Sequence, residues 1–330
     1  MGTNREENPA KPMTAQIFHL GEAIPDFDAS LVSSQRADLH LRLEDGTAHC
    51  SLWWTVRPPF PGERLGVIGH FAAGSAESGT AILHSALEKL REAGCSLAIG
   101  PMDGNTWRRY RVLTERGMEP PFFLEPDNPD CWASAFADAG FSALASYSST
   151  LVADPSQRDE RVERTRERLE RGGVTIRALN PVTFEDDLRR IYQVSVVSFA
   201  GNYLYTELPE AAFLAQYLPY REKIRPELVQ IAEHDGEPVG YLFALPDFAE
   251  AQRGLPVRTV IGKTLAVLPG RRYGGLGVVL TNLLHGRALE LGFARVIHAL
   301  QHENNDRVRN MSESFGQVMR RYTLYSRRVG

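Results

Sequence analysis

Cysteine is scarce in this chain. Among 330 residues there are three, Cys50, Cys95 and Cys131. They form no C-x-x-C pair, and an odd, scattered set argues against a disulfide framework or a thiolate metal site. It suits a reducing, cytoplasmic compartment. No apolar run approaches the roughly 18 residues that a membrane span needs. The opening stretch MGTNREENPAKPM lacks the apolar centre of a signal peptide and reads as a disordered leader over residues 1–12. A dominant charge is missing too: the net charge is −4, with 37 Lys and Arg against 41 Asp and Glu. No global field would recruit nucleic acid. What is present, 43% hydrophobic and 24% charged residues, is ordinary for a soluble globular protein. The length is enough for two domains.

The most informative stretch is 257–293. A β-rich run, Val260 to Val267, meets Pro269 and Gly270. Arg271 and Arg272 follow, then Tyr273, Gly274, Gly275, Leu276 and Gly277, then an amphipathic helix. Glycines let a backbone approach a ligand closely. The first N–H groups of the helix, with the positive end of its dipole, form an anion site. A P-loop would require Gly-Lys-Ser/Thr after its glycines, and a dinucleotide fingerprint would require G-x-G-x-x-G. Neither is there.

Along the chain, alternating runs predict strands at 37–43 and 50–55 around the turn Asp45-Gly46, and at 228–233 and 239–245 around Asp235-Gly236. Helices are expected at 76–93, closed by Gly94, from Pro181 to Phe199, and from Pro209 to Tyr217. Asn305 to Phe315 reads as a further helix and Tyr322 to Arg327 as a last strand. The segment 105–113 (NTWRRYRVL) reads as a surface helix or as a binding surface for an anionic or aromatic ligand. Residues 154–173 are highly charged and nearly devoid of apolar side chains. They read as a solvated helical connector, with Glu160–Arg164 and Glu167–Arg171 as i,i+4 pairs.

The two halves are alike. Val67-Ile68-Gly69 matches Val260-Ile261-Gly262, and each is followed by a loop, a helix ending in glycine (Gly94 and Gly292) and a strand. The first copy has a shorter loop, no arginines, and Glu77 where phosphates would sit, so it would repel the anion that the second attracts. The expected organisation is a degenerate domain at 13–153, the connector at 154–173, and an intact domain at 174–330.

Arg272-Tyr-Gly-Gly275-Leu-Gly277 fits R-x-x-G-x-G after a strand ending in Leu-Ala-Val. In that context it resembles the acetyl-CoA-binding motif of the GNAT (GCN5-related N-acetyltransferase) superfamily. The resemblance implies an α+β fold: two tandem domains, each a mixed, mostly antiparallel sheet flanked by helices. It implies acetyl-CoA as co-substrate and no metal. Leu265, Ala266 and Val267 would offer backbone groups to the pantetheine. Arg271 to Gly277 would hold the pyrophosphate, and Asn305 would lie near the thioester. Many members use a Glu on the fourth strand as base and a Tyr after the fifth as acid. Here those positions hold Lys263 and Ser312. Lys263 would then attract an anionic acceptor, and Ser312 would relay a proton weakly.

Substitutes for the missing pair are Asp247, His298, Tyr203 and Tyr205. Each has a plainer alternative: a turn former for Asp247, a satisfied core imidazole for His298, lid packing for the tyrosines. Proximity in a ternary complex would supply much of the rate without a dedicated base. The expected activity is acyl transfer from acyl-CoA to the amine of a small molecule or peptide, with a homodimer as one possible assembly. The alternatives are a non-catalytic acyl-CoA-binding module and an interaction protein. Composition excludes neither.

Overall fold

A computed structural model describes residues 13–19, 21–157, 160–303 and 316–330. The elements of the first half are β1 (Ala15–Phe18), α1 (Ala29–Ser34), β2 (Leu39–Leu43), β3 (Ala48–Trp53), β4 (Leu65–Ala73), α2 (Ala76–Glu92), β5 (Leu97–Gly100), β6 (Val112–Glu115), α3 (Cys131–Asp138) and β7 (Ser142–Val152). The second half has α4 (Glu160–Arg171), β8 (Val174–Ala178), α5 (Phe184–Phe199), α6 (Glu210–Tyr217), β9 (Val229–His234), β10 (Glu237–Pro246) and α7 (Phe248–Gln252). It continues with β11 (Thr259–Val267), α8 (Leu276–Glu290), β12 (Arg295–His302) and β13 (Gln317–Arg328). The Asp-Gly turns take the left-handed backbone that such hairpins require, at Gly46 and at Asp235-Gly236. Segment 105–111 is not helical; Arg109 lies over the Trp132 ring at 5.3 Å. The expected helix at 305–315 lies outside the described residues.

Two compact units form, and neither is contiguous in sequence. The first comprises Met1–Val112, Asn128–Ala143 and Leu324–Gly330; the second comprises Leu113–Asp127 and Leu144–Thr323. The expected boundary at 153/154 falls inside the second unit.

The first unit is a mixed sheet in the order β1-β2-β3-β4-β5, with the end of β13 beside β5. Among the described residues β4 and β5 pair in parallel, Leu65–Val67 with Leu97–Ile99. Period-2 alternation sends Leu39, Leu41 and Leu43 with Cys50 and Leu52 to one face, where Ile82, Leu83, Ala86 and Leu90 of α2 cover them. The opposite face carries His40, His49, Ser51 and His70, capped by Phe27, which stacks on His40 at 4.4 Å. The imidazoles are tied together: Ser51 Oγ lies 2.8 Å from His40 Nδ1 and 2.9 Å from His70 Nδ1.

The second unit orders its strands β13-β7-β12-β11-β10-β9-β8, with β6 paired to β13. Here β11 and β12 pair in parallel. Leu276, Val279, Leu280, Leu284 and Ala288 give α8 its buried face, which packs on Leu242, Ala244 and Val260. The charged connector is not simply solvated. As α4 it buries Val162 and Leu169 in this same core. Its i,i+4 ion pair is Arg166–Glu170 at 2.9 Å, in place of the pairs expected at Glu160–Arg164 and Glu167–Arg171. Arg320 and Glu125 form a buried ion pair at 3.1 Å, and both side chains are 0% exposed.

Candidate active site

The loop before α8 is built as the sequence suggests, with one partner it does not disclose. Gly275 is the N-cap of α8 with φ +84°, and Gly270 has φ +146°. Both lie where side chains are disfavoured. In the loop Tyr273 N–H donates to the Gly270 carbonyl and Gly274 N–H to the Arg271 carbonyl; from the start of α8 onward the first N–H with a backbone acceptor is that of Val279, on the Gly275 carbonyl. Those of Leu276, Gly277 and Val278 have no acceptor among the described residues, and glycine offers no capping side chain. Arg271 and Arg272 are exposed, with Arg272 over the Tyr273 ring at 4.7 Å. Tyr273 and Leu276 turn into the core, so they can reach a ligand only through backbone.

The undisclosed partner is α4. Arg168 donates to the Gly274 carbonyl. A trans peptide is planar, so fixing that carbonyl points the Gly275 N–H the opposite way. On the same helix, Thr165 Cγ2 lies 2.6 Å from where a Cβ on Gly275 would stand. Substituting Gly275 by alanine therefore combines a left-handed backbone with a clash, and should cost about 1–2 kcal/mol or more. The melting temperature of Gly275→Ala should fall accordingly, whereas Gly277→Ala, whose Cβ would meet nothing closer than 3.5 Å, should leave the melt nearly unchanged.

The corresponding helix end in the first unit is closed by its own residues. Ser75 caps α2, with its Oγ accepting from Ser78 N at 3.1 Å while Ser78 Oγ accepts from Ser75 N at 3.2 Å. One helix start is self-satisfied and the other is free to take a ligand.

Beside the loop, two strands part. β11 pairs with β12 only over Thr259–Gly262 with Arg295–His298. From Lys263 onward β11 stays with β10 alone, so Leu265, Ala266 and Val267 keep one backbone edge free of β12. β12 stays paired with β7 on its other edge throughout, from Val296 to His302, with a register shift between His298 and Gln301. At the point of parting β11 carries a bulge: Phe243 pairs with Thr264 and Ala244 with Gly262, leaving Lys263 extra. Bulges re-aim a side chain. Lys263 is exposed, with its Nζ 5.4 Å from the Tyr217 ring centre.

The expected acid–base substitutes are dispersed. Asp247 is buried as the cap of α7; its Oδ1 accepts from Ala249 N at 3.1 Å and from Phe123 N at 2.8 Å. Burial pushes its carboxyl up, but its oxygens are engaged in holding two segments. His298 is buried on β12, with Nε2 2.9 Å from His285 Nε2 on α8. Burial, with His285 adding to it, pushes its imidazole down to about 3. It therefore stays neutral in the core, the arrangement of a satisfied core imidazole. Tyr203 is 39% exposed on the loop between α5 and α6, and burial of its ring raises its phenol. Asn305 and Ser312 lie outside the described residues.

Sequence reading passes over an aromatic group near Lys263. Tyr217 packs on Phe243 at 5.1 Å and on Phe213 at 4.9 Å, and Phe213 on Tyr192 at 5.4 Å. Beneath them Tyr241 hydroxyl lies 2.7 Å from Ser195 Oγ, and burial pushes its phenol far up. The signal was available: Phe213 and Tyr217 are four apart, one face of α6. Among the described residues, no group of three or more His, Cys, Asp or Glu is placed to hold a metal, and no helix is long and apolar enough to cross a membrane.

Residues 188–317 match the model described as the Acetyltransferase (GNAT) family. This segment contains β11, the glycine loop and α8, and over it the chain is similar to that family. The GCN5-related glucosamine N-acetyltransferase region of a fungal multi-domain GH3 beta-N-acetylglucosaminidase superposes with a TM-score of 0.56 and 13% identity, over 96% of this chain and 38% of that one. A GCN5-related N-acetyltransferase from Sphaerobacter thermophilus gives a TM-score of 0.51 and 13% identity, over 93% of this chain and 87% of that one. At these identities the likeness is one of fold. This chain spans well under half of the fungal protein. Comparison with curated proteins gave no match.

Proposed function

We propose that this protein is an acetyl-CoA-dependent N-acetyltransferase whose active site lies in the second unit. The observation that carries the reading is the open N-terminus of α8, capped by left-handed Gly275 and flanked by Arg271 and Arg272. The unpaired N–H groups of Leu276, Gly277 and Val278 suit a pyrophosphate. The free edge of Leu265–Val267 suits the amides of a pantetheine arm, which would lie where β11 and β12 part. Asn305 belongs beside the thioester in this reading.

Transfer is direct, within a ternary complex. The neutral amine nitrogen forms a bond to the thioester carbonyl carbon, the carbon–sulfur bond breaks, and one nitrogen proton ends on the CoA sulfur. Ser312 is a candidate relay for that proton. Asp247, the carboxylate considered as the base, is engaged by the backbone of Phe123 and Ala249, so holding the amine against the thioester contributes most of the rate. The first unit, with its helix end closed by Ser75, serves as support or as a dimer contact. The acceptor is a small-molecule or peptide amine, and the setting is cytoplasmic.

Calorimetric titration with acetyl-CoA tests this. Wild-type protein should bind. The double variant Arg271→Ala/Arg272→Ala should bind about ten- to hundredfold more weakly, as expected for losing charge-assisted contacts to phosphate. Equal affinity in both, or no binding by wild type, removes the reading. The second reading, a non-catalytic acyl-CoA-binding module, is favoured by Lys263 at the base position. It predicts binding with no acetylation of any amine.

A further inference from the structure

The two units carry the same device in two conditions. In each, a strand runs parallel to its neighbour and then bulges just after a glycine: Gly69 then His70 on β4, Gly262 then Lys263 on β11. The matching tripeptides Val67-Ile68-Gly69 and Val260-Ile261-Gly262 lead into both. In the first unit the bulged residue is tied down. His70 donates its N–H to Asp103 Oδ1 at 2.6 Å, its Nδ1 meets Ser51 Oγ, and its Nε2 meets Gln35 Oε1 at 3.1 Å. The edge of Trp53 closes over it at 5.1 Å. The chain's own side chains fill that face.

In the second unit the bulged residue is a lysine, and nothing comparable holds it. Lys263 makes no ion pair with any described residue. Its ammonium rests on the π face of Tyr217, beside Phe243 and Phe213. A cation held by an aromatic ring keeps its charge available to a ligand. It stands where the free edge of β11 begins, the place at which an acceptor would meet the thioester.

We propose that the acceptor is a small amine bearing its own acid group, carboxylate or phosphate, and that Lys263 binds this group. The inference rests on the acetyltransferase reading above and narrows its substrate. It also answers the lack of a base. A fixed ammonium beside an incoming ammonium disfavours the charged form of the latter. Lys263 thus holds the acid group while helping the nitrogen shed its proton. It is a specificity-determining residue that touches substrate, and it needs no proton of its own to move.

The test uses the full chain, acetyl-CoA and matched amines: amino acids against their carboxamides, and aminoalkylphosphonates against plain alkylamines of the same length. CoA thiol release and acetylated product are both measured. The acid-bearing member of a pair should be preferred roughly ten- to hundredfold in kcat/KM, the range of one charge-assisted contact. Which series shows it identifies the acid. Lys263→Met should abolish the preference and move the acid limb of the kcat profile to higher pH; Lys263→Arg should keep the preference. Because Lys263 is exposed, both variants should melt with wild type. Preference for neutral or polycationic amines, or an unchanged preference in Lys263→Met, overturns this inference and leaves the acetyltransferase reading standing. Acetyl-CoA binding with no acid-bearing amine consumed overturns it also. Failure to bind acetyl-CoA overturns both.

Discussion

Replacing Arg320 by methionine will destabilise the second unit by about 3–5 kcal/mol, the usual result of stranding one charge of a buried pair. Arg320 and Glu125 meet at 3.1 Å with neither side chain exposed, and Tyr322 hydroxyl donates to the same carboxylate oxygen. Burial pushes the Glu125 carboxyl up; the hydrogen bond from Tyr322 and the charge of Arg320 work against that without overcoming it. Without the arginine, the carboxylate must either stay charged in the interior or take up a proton. Arg320 also donates to the Glu119 carbonyl, so the segment 113–127 loses an anchor. A unit of this size should lose on the order of 10 °C in melting temperature. The double variant Arg320→Met/Glu125→Gln should recover much of the loss, since it leaves no unpaired charge. Circular dichroism melts of wild type, single and double variants decide it; a single variant within 1 kcal/mol of wild type (about 2–4 °C) would show that the pair is not sealed from water.

The first unit will be acid-labile because of its imidazole face. Burial pushes His40 down to about 3, with the neighbouring His49, His70 and Arg42 charges adding to it. His49 and His70 are pushed down to about 4, again chiefly by burial, then by His70 and Arg42 in one case and Arg108 in the other. Asp103, itself raised by burial, accepts from the His70 backbone. The sign follows from linkage: these groups are neutral when folded and near 6.5 when unfolded, so stability is whole above pH 6.5. It falls as the pH drops through that value, and the loss is complete near the folded values. At pH 5 the fully buried His40 alone should account for about 2 kcal/mol, with smaller contributions from the two half-buried rings. Denaturant unfolding followed by tryptophan fluorescence at pH 7.5 and 5 should show the drop. His40→Gln should flatten it. Imidazole signals titrating near 6.5 in the folded protein would overturn the argument.

Local chemistry in the sequence was enough to locate the loop. The strand, Pro269-Gly270, the arginines and the spaced glycines all act within about thirty residues, and each has a backbone reason to be where it is. The Asp-Gly hairpins were legible for the same cause. What could not be read depends on contacts across long separations. Asp247 looks like a poised carboxylate until Phe123, 124 positions away, is seen donating to it. His298 acquires its meaning from His285, and the charged connector from Gly274 and Thr165's approach to Gly275. The bulge at Lys263 was half legible: Gly262 marks it, but the shift in pairing with β10 is a property of two strands together.

The way β13 is divided has a consequence for dissection of the chain. The strand gives Gln317–Thr323 to one unit and Leu324–Arg328 to the other, while Leu113–Asp127 and the residues of β7 from Leu144 onward belong to the second unit. Units that are continuous in sequence can be separated by one cut. Here neither unit is a continuous stretch of chain, so a cut at any single position would take strand residues from one of them.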